Sequence, residues 1–217
     1  ECGVVEHEVV PLPIHRVPEP GKRSSTGADR PTVTFVGRVA PNKGFHDLIA
    51  TAEVLRSRVP DVEFRLVGAP TARPYTRALE GLIDDLGLND TVSFTGRVSA
   101  AELDAEYQRA DVFCCLSDHE GFGVPLLEAM AHGVPVVAFD AAAVGETVGD
   151  AALLLPDKSP AVVAAALERV IESDDLRQWL VAEGFTRIRH FAPDVVWRRF
   201  TDALETIWHQ HRTEVGA

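Results

Sequence analysis

The sequence predicts an α/β fold, with one doubly wound parallel sheet covered by helices on both faces. From residue 32 onward short apolar runs alternate with helical patterns, the links between them are short, and several runs end in glycine. A chain that alternates strand and helix in this way returns through each helix to the same end of the sheet, so its strands pair in parallel.

The elements follow in order. TVTFVG (32–37) reads as a strand ending at Gly37, and a helical pattern from Gly44 to Ser57 puts Leu48, Ile49, Ala52 and Leu55 on one face. VEFRLVG (62–68) is the second strand, followed by a helix through LEGLIDDLG that Gly87 stops. TVSFTG (91–96), a helix through ELDAEYQRA and the strand DVFCCLS (111–117) continue the alternation. A helix at PLLEAMAHG, the strand VPVVAF (134–139), a short strand near ALLLP (152–156) and helices from Ala161 through His211 complete it. Residues 1–31 differ in texture. A β-like run, VVEHEVVPLPI, precedes PEPGKRSSTGADRP, whose Pro, Gly and Ser mark a flexible connector.

Composition removes several functions. A length of 217 residues fits one large domain or two small ones, and a formal net charge of −12 argues against a nucleic-acid surface. Cys2, Cys114 and Cys115 show neither metal-ligand spacing nor a disulfide framework, which fits a reducing cytosol. No apolar run has the length of a membrane span, and the first residues do not resemble a signal peptide. The single methionine is Met130, so the sequence does not start at an initiator and is expected to be processed or a piece of something longer.

Open α/β sheets take ligands beyond the carboxyl ends of their strands, which singles out the loops starting at Gly37, Gly68, Gly96 and Ser117. In GRVAPNKG (37–44), Arg38 and Lys43 flank the approach to a helix N-terminus. Arg can fork onto two phosphate oxygens, Lys adds a point charge, and the helix dipole adds to both. From the loop alone two readings stay open: a diphosphate cradle, or an ordinary connection with solvated charges. It is neither a GxxxxGK[ST] phosphate loop nor a GxGxxG dinucleotide fingerprint.

The most informative stretch is SDHEGFGVPLLEAMAHG (117–133). Gly121 and Gly123 let backbone approach a ligand closely, and Pro125 suits the first turn of a helix. The amides of Gly123, Val124 and Leu126 are then available to an anion. Glu120 lies just before the turn and Glu128 is expected in the first helical turn, so two carboxylates flank the amides. Carboxylates that accept from hydroxyls, beside an anion site, suit a sugar joined to a phosphate. The plainer alternatives are a solvated loop residue for Glu120 and a dipole-stabilising acid for Glu128. His119 and His132 have no metal-like partner at helical spacing and are read as structural, so no metal site is expected.

EGFGVPLLEAMAHGVPVVA (120–138), with GRVAPNKGFHDLI (37–49) upstream and FTGRVSAAELDAEYQRADVF (94–113) between, resembles the C-terminal half of the family-four retaining glycosyltransferases of the GT-B fold. The likeness runs from about residue 32 to beyond residue 200, and two glutamates separated by seven residues before AMA-x-G-x-PVVA are specific to it. The resemblance implies a single Rossmann-like doubly wound sheet that binds the nucleotide sugar. It divides the chain into an interdomain linker with a leading segment (1–31) and a donor-binding domain (32–217). The N-terminal acceptor domain would be absent from the chain.

By the same resemblance, Arg38 and Lys43 hold the diphosphate beside the Gly37 backbone. Glu120 accepts from donor-sugar hydroxyls, assisted by amides in the Gly121, Phe122, Gly123 and Val124 turn. Glu128 binds the ribose, Arg97 and Val98 meet the base mainly through backbone, and Leu127 packs against it. Charge building on the departing diphosphate would be stabilised by Arg38, Lys43 and the helix amides, with Glu120 the third catalytic residue and no metal or other cofactor. The implied partners are a nucleotide diphosphate sugar, the missing domain, and a sugar, lipid or glycan acceptor. The implied setting is the cytoplasm, with contact at the inner membrane face. In FDAAAVGETVGDAALLLP (139–156) three alanines stand where many members carry Ser or Gly, so no donor contact is assigned there. FAPDVVWRRFTDALETIWHQ (191–210) resembles the closing helix of the family, and its apolar face (Val196, Phe200, Leu204, Ile207) is expected to be partly unpaired without the other domain. Glycogen-synthase-like and phosphorylase-like enzymes are the related alternatives, and a non-catalytic nucleotide-binding or interaction domain is the alternative of a different class.

Overall fold

The computed structural model of the chain describes residues 10–14 and 30–215, with side chains in the closing helix as far as Trp208. The elements are β1 (Thr32–Val36), α1 (Phe45–Arg56), β2 (Glu63–Val67), α2 (Arg73–Asp85), β3 (Val92–Gly96), α3 (Ala100–Arg109), β4 (Val112–Cys115), α4 (Val124–Ala131), β5 (Val136–Phe139), α5 (Val144–Val148), β6 (Ala152–Leu155), α6 (Pro160–Glu172), α7 (Asp174–Ile188) and α8 (Pro193–Val215). The six strands pair in parallel in the order β3-β2-β1-β4-β5-β6. Strand order reverses between β1 and β4, so the loops leaving those two strands diverge and open a crevice between them.

Burial explains the strand sequences. Thr32–Phe35 of β1 and all of β4 are buried; β4 (VFCC) is the unbroken apolar run of a strand covered on both faces, whereas β1 also buries Thr32 and Thr34. The four α1 positions expected to face inward, Leu48, Ile49, Ala52 and Leu55, are all 0% exposed. Phe35 meets Phe45 edge-on at 5.2 Å and Phe113 at 6.1 Å, which ties α1 to the two central strands. Across β2, the Arg65 guanidinium forks onto Glu106 of α3 at 2.6 and 2.5 Å.

Three boundaries differ from the sequence pattern. α2 begins at Arg73 rather than near Leu79, because Ala72 is extended and Pro74 pre-sets the first turn. α5 and a single 3-10 turn (Gly149–Ala151) occupy the segment between β5 and β6. Most of the expected leading β-run and the connector lie outside the described residues, and residues 10–14 form no strand. Instead the Ile14 N–H donates to the Phe191 carbonyl at 2.9 Å and the Ile14 side chain is buried.

α8 is amphipathic in an unusual way. Val196 and Ala203 are covered, whereas Phe200, Leu204 and Ile207 are exposed, as the expected unpaired face requires. Trp197 and Trp208 widen that stripe, and Trp197 stacks on Phe200 at 5.5 Å. Among the described residues no helix is long and apolar enough to cross a membrane.

Candidate functional site

The loops after β1 and β4 meet over the point where strand order reverses. Gly44 adopts φ 67°, and a Cβ there would fall 2.3 Å from the Leu116 carbonyl oxygen, so only glycine lets the two loops touch. The Asp118 N–H donates to the Asn42 carbonyl at 3.0 Å, a second backbone tie between them. On its other flank the β1 loop is held by Val39 N–H to Ala69 O at 3.0 Å and by the Thr71 hydroxyl to Val39 O at 2.6 Å. Fixed on both sides, this loop sets where Arg38 and Lys43 leave the backbone.

Lys43 passes beside Gly37 and its Nζ donates to Glu120 Oε1 at 2.6 Å, with the two side chains only 16% and 11% exposed. The buried Ser117 hydroxyl donates to the same oxygen at 2.7 Å. The Cys115 thiol lies 4.0 Å from it, and burial pushes that thiol up to about 11, so it stays neutral. Glu120 Oε2 has no protein partner among the described residues. Arg38 is exposed and makes no hydrogen bond or ion pair among them either. Two predicted ligands of opposite charge, far apart in sequence, are thus in direct contact.

The turn that follows is braced from behind. The Ala143 N–H donates to the Glu120 carbonyl at 3.3 Å, and the Thr147 hydroxyl donates to the Phe122 carbonyl at 2.6 Å. Phe122 also packs edge-on against Phe191 at 5.6 Å. Gly123 caps α4 at φ 78°, where a Cβ would meet Leu126 Cδ1 at 2.6 Å. The amides of Gly121, Phe122, Gly123 and Val124 donate to no protein acceptor among the described residues. That of Leu126, expected to be available, donates to Gly123 O at 2.9 Å and is spoken for.

Glu128 is the fifth residue of α4, not a first-turn residue, because the helix already starts at Val124. Its Oε2 accepts from the Tyr107 phenol at 2.8 Å. Burial, and then the charge of Glu128, raise the Tyr107 pKa well above its ordinary value, so the phenol keeps its proton and donates. His132 stacks on Tyr107 at 4.9 Å, its Nδ1 lies 2.8 Å from the Glu128 carbonyl, and its Nε2 is 3.5 Å from Asp104. A carbonyl can only accept, so Nδ1 carries a proton, and this ring serves the packing, as the sequence suggested.

Arg97 is exposed and Val98 half-buried in the loop after β3, at the same end of the sheet. Leu127 is a correction: it is 0% exposed within the core, so its side chain offers no surface to a base. Sequence reasoning missed Ser117, Tyr107 and Lys158. Lys158 reaches Asp47 at 2.7 Å and Asp118 at 2.5 Å, clasping the β4 loop onto α1. Burial pulls its pKa down, but the hydrogen bonds to both carboxylates outweigh that and raise it. The serine three residues before Glu120 was the one visible signal; nothing local announces a phenol or lysine whose partners lie in other units.

Known proteins resemble the chain in sequence and in fold. The family model for glycosyl transferases group 1 matches residues 20–187. A GDP-mannose-dependent alpha-(1-6)-phosphatidylinositol monomannoside mannosyltransferase of Mycolicibacterium smegmatis is 42% identical over 129 residues, covering 56% of this chain and 33% of that protein. The crystal structure of the C-terminal domain of a glycosyl transferase group 1 family protein from Francisella tularensis superposes with a TM-score of 0.67 at 27% identity, covering 83% of this chain and 94% of that one. The Anabaena protein HepE in complex with UDP and glucose gives a TM-score of 0.71 at 26% identity, covering 85% of this chain and 51% of that one. The chain spans less than half the length of the curated relatives it matches.

Proposed function

The chain belongs to the group 1 glycosyl transferases, and from that premise we propose that its crevice between β1 and β4 binds a nucleoside diphosphate sugar as the donor half of a retaining glycosyltransferase. The observation that carries this reading is the Lys43–Glu120 contact at 2.6 Å, followed in the chain by four amides that have no protein acceptor among the described residues. Arg38, Lys43 and the Gly37 backbone take the diphosphate. Lys43 has three N–H donors, so it can hold Glu120 and a phosphate oxygen together. Glu120 Oε2, with the Phe122 and Gly123 amides, takes sugar hydroxyls; Glu128 takes the ribose; the backbone at Arg97 and Val98 meets the base. As the sugar leaves, negative charge grows on the diphosphate, and these pre-placed cations and amides stabilise it without reorganising. No resident metal or cofactor is required by that chemistry.

The relative named for GDP-mannose makes GDP-mannose the donor to propose, and a lipid or cell-surface glycan at the inner membrane face the acceptor. The exposed stripe of α8 supports a missing partner domain that supplies the acceptor side, so residues 32–217 act as the donor-binding unit of a longer enzyme. A non-catalytic binding domain is the competing reading. Titration of the chain with GDP-mannose, GDP and pyrophosphate, with and without EDTA, separates the two. Preference for the intact sugar nucleotide, unaffected by EDTA, is expected; equal binding of all three anions would leave only a generic anion site.

A further inference from the structure

We propose that Tyr107 is a positioning residue for nucleotide recognition: its buried phenol orients the Glu128 carboxylate from beneath, so that one carboxylate oxygen is held and the other is presented to the ligand. The inference rests on the ribose role given to Glu128 above and adds a residue that no motif marks. Tyr107 belongs to α3, in a different βα unit from Glu128, and reaches its Oε2 at 2.8 Å. It also lies 3.4 Å from the Pro125 carbonyl in the first turn of α4. The phenol therefore gauges both the carboxylate and the start of the helix that carries it.

The surroundings suit that task. Tyr107 is 1% exposed, and its ring is fixed between Phe113 at 6.0 Å and His132 at 4.9 Å. His132 is in turn tied to the Glu128 carbonyl and to Asp104. A neutral phenol donates one hydrogen bond and adds no charge, so Glu128 keeps its full negative charge and remains a strong acceptor. A lysine in the same place would have offset that charge. Glu128 Oε1 has no protein partner among the described residues, which is the oxygen left for a hydroxyl donor. Without the phenol, a glutamate with three rotatable bonds would be free to swing, and a vicinal diol would meet an acceptor that is not pre-placed.

The test compares GDP with 2′-deoxy-GDP on the chain, Tyr107→Phe, Glu128→Gln and the double variant. Tyr107→Phe keeps the ring and its stacking. The unaltered chain should prefer GDP by about 10-fold, the size of one hydrogen bond to a charged group. Tyr107→Phe should cut that preference to about twofold while leaving 2′-deoxy-GDP binding unchanged, and adding it to Glu128→Gln should change nothing further. Full preference retained in Tyr107→Phe, or equal loss of both ligands, would overturn the proposal, the second outcome marking a purely structural residue. An unaltered chain that binds both nucleotides equally would overturn it together with the ribose role, and one that binds neither would overturn the donor reading as well. The chain has two tyrosines, so 3-fluorotyrosine labelling gives a readout that needs no variant. The Tyr107 fluorine signal should shift with GDP and much less with 2′-deoxy-GDP; identical shifts count against the proposal.

Discussion

Glu120 and Glu128 are the same side chain on one loop-helix unit, yet the molecule holds them in opposite ways. Glu120 gives one oxygen to a cation, Lys43 at 2.6 Å, and to the Ser117 hydroxyl at 2.7 Å. Glu128 gives one oxygen to a neutral phenol, Tyr107, at 2.8 Å. Both keep a second oxygen without a protein partner among the described residues. The difference is charge: Glu120 is compensated before any ligand arrives, whereas Glu128 is oriented but not neutralised. That division suits a ligand whose diphosphate competes for the cation and whose ribose needs only a fixed acceptor.

Removing the cation should break the comparison most severely. Lys43→Met strands the Glu120 charge where it is mostly buried, and a cost of about 3 kcal/mol is expected, the lower end for broken buried pairs. The denaturation midpoint measures it, and Lys43→Met combined with Glu120→Gln should recover most of the loss. If the double variant is no more stable than the single one, the pair is not electrostatically coupled.

Glu120→Gln sharpens the comparison at the ligand. It removes a negative charge beside the phosphate site, so GDP should bind several-fold tighter while GDP-mannose binds about 10-fold weaker, through the lost hydroxyl acceptor. Calorimetry on the two ligands reads both signs, and losses in the same direction would remove Glu120 from the sugar side.

The smallest effect concerns buried hydroxyls as such. Thr34 Oγ1 is buried in β1 with no hydrogen-bond partner among the described residues, unlike the Tyr107 phenol. Thr34→Val should therefore stabilise the chain by about 1 kcal/mol in urea unfolding, because an unsatisfied polar group is removed. A destabilised variant would mean that this hydroxyl is satisfied in solution.

The sheet was legible because short strands rich in apolar residues alternate with helices that carry an inward face, as Leu48, Ile49, Ala52 and Leu55 show. The start of α2 was not, since RPYTRA has no apolar period and Pro74 acts only through its fixed φ. The glutamate-bearing turn was legible as a motif, but not the place of Glu128 within its helix, which depends on the left-handed Gly123 that starts α4 one residue before the proline. Lys43 and Glu120 are 77 residues apart, so their contact depends on the reversal of strand order and not on any local pattern. Tyr107 was missed because its partner, Glu128, lies 21 residues away in another βα unit, beyond any local pattern. Trp197 and Trp208 escaped because the family-like face of α8 was counted without them.

The most direct test of the donor site is the binding of GDP and of guanosine to the chain and to Lys43→Ala, by calorimetry at fixed salt. Lys43→Ala is expected to lose about 10- to 100-fold in affinity for GDP, the value of a charge-assisted hydrogen bond, and no more than about twofold for guanosine. Equal losses for the two ligands, or none for GDP, would take Lys43 out of the phosphate site and contradict the account.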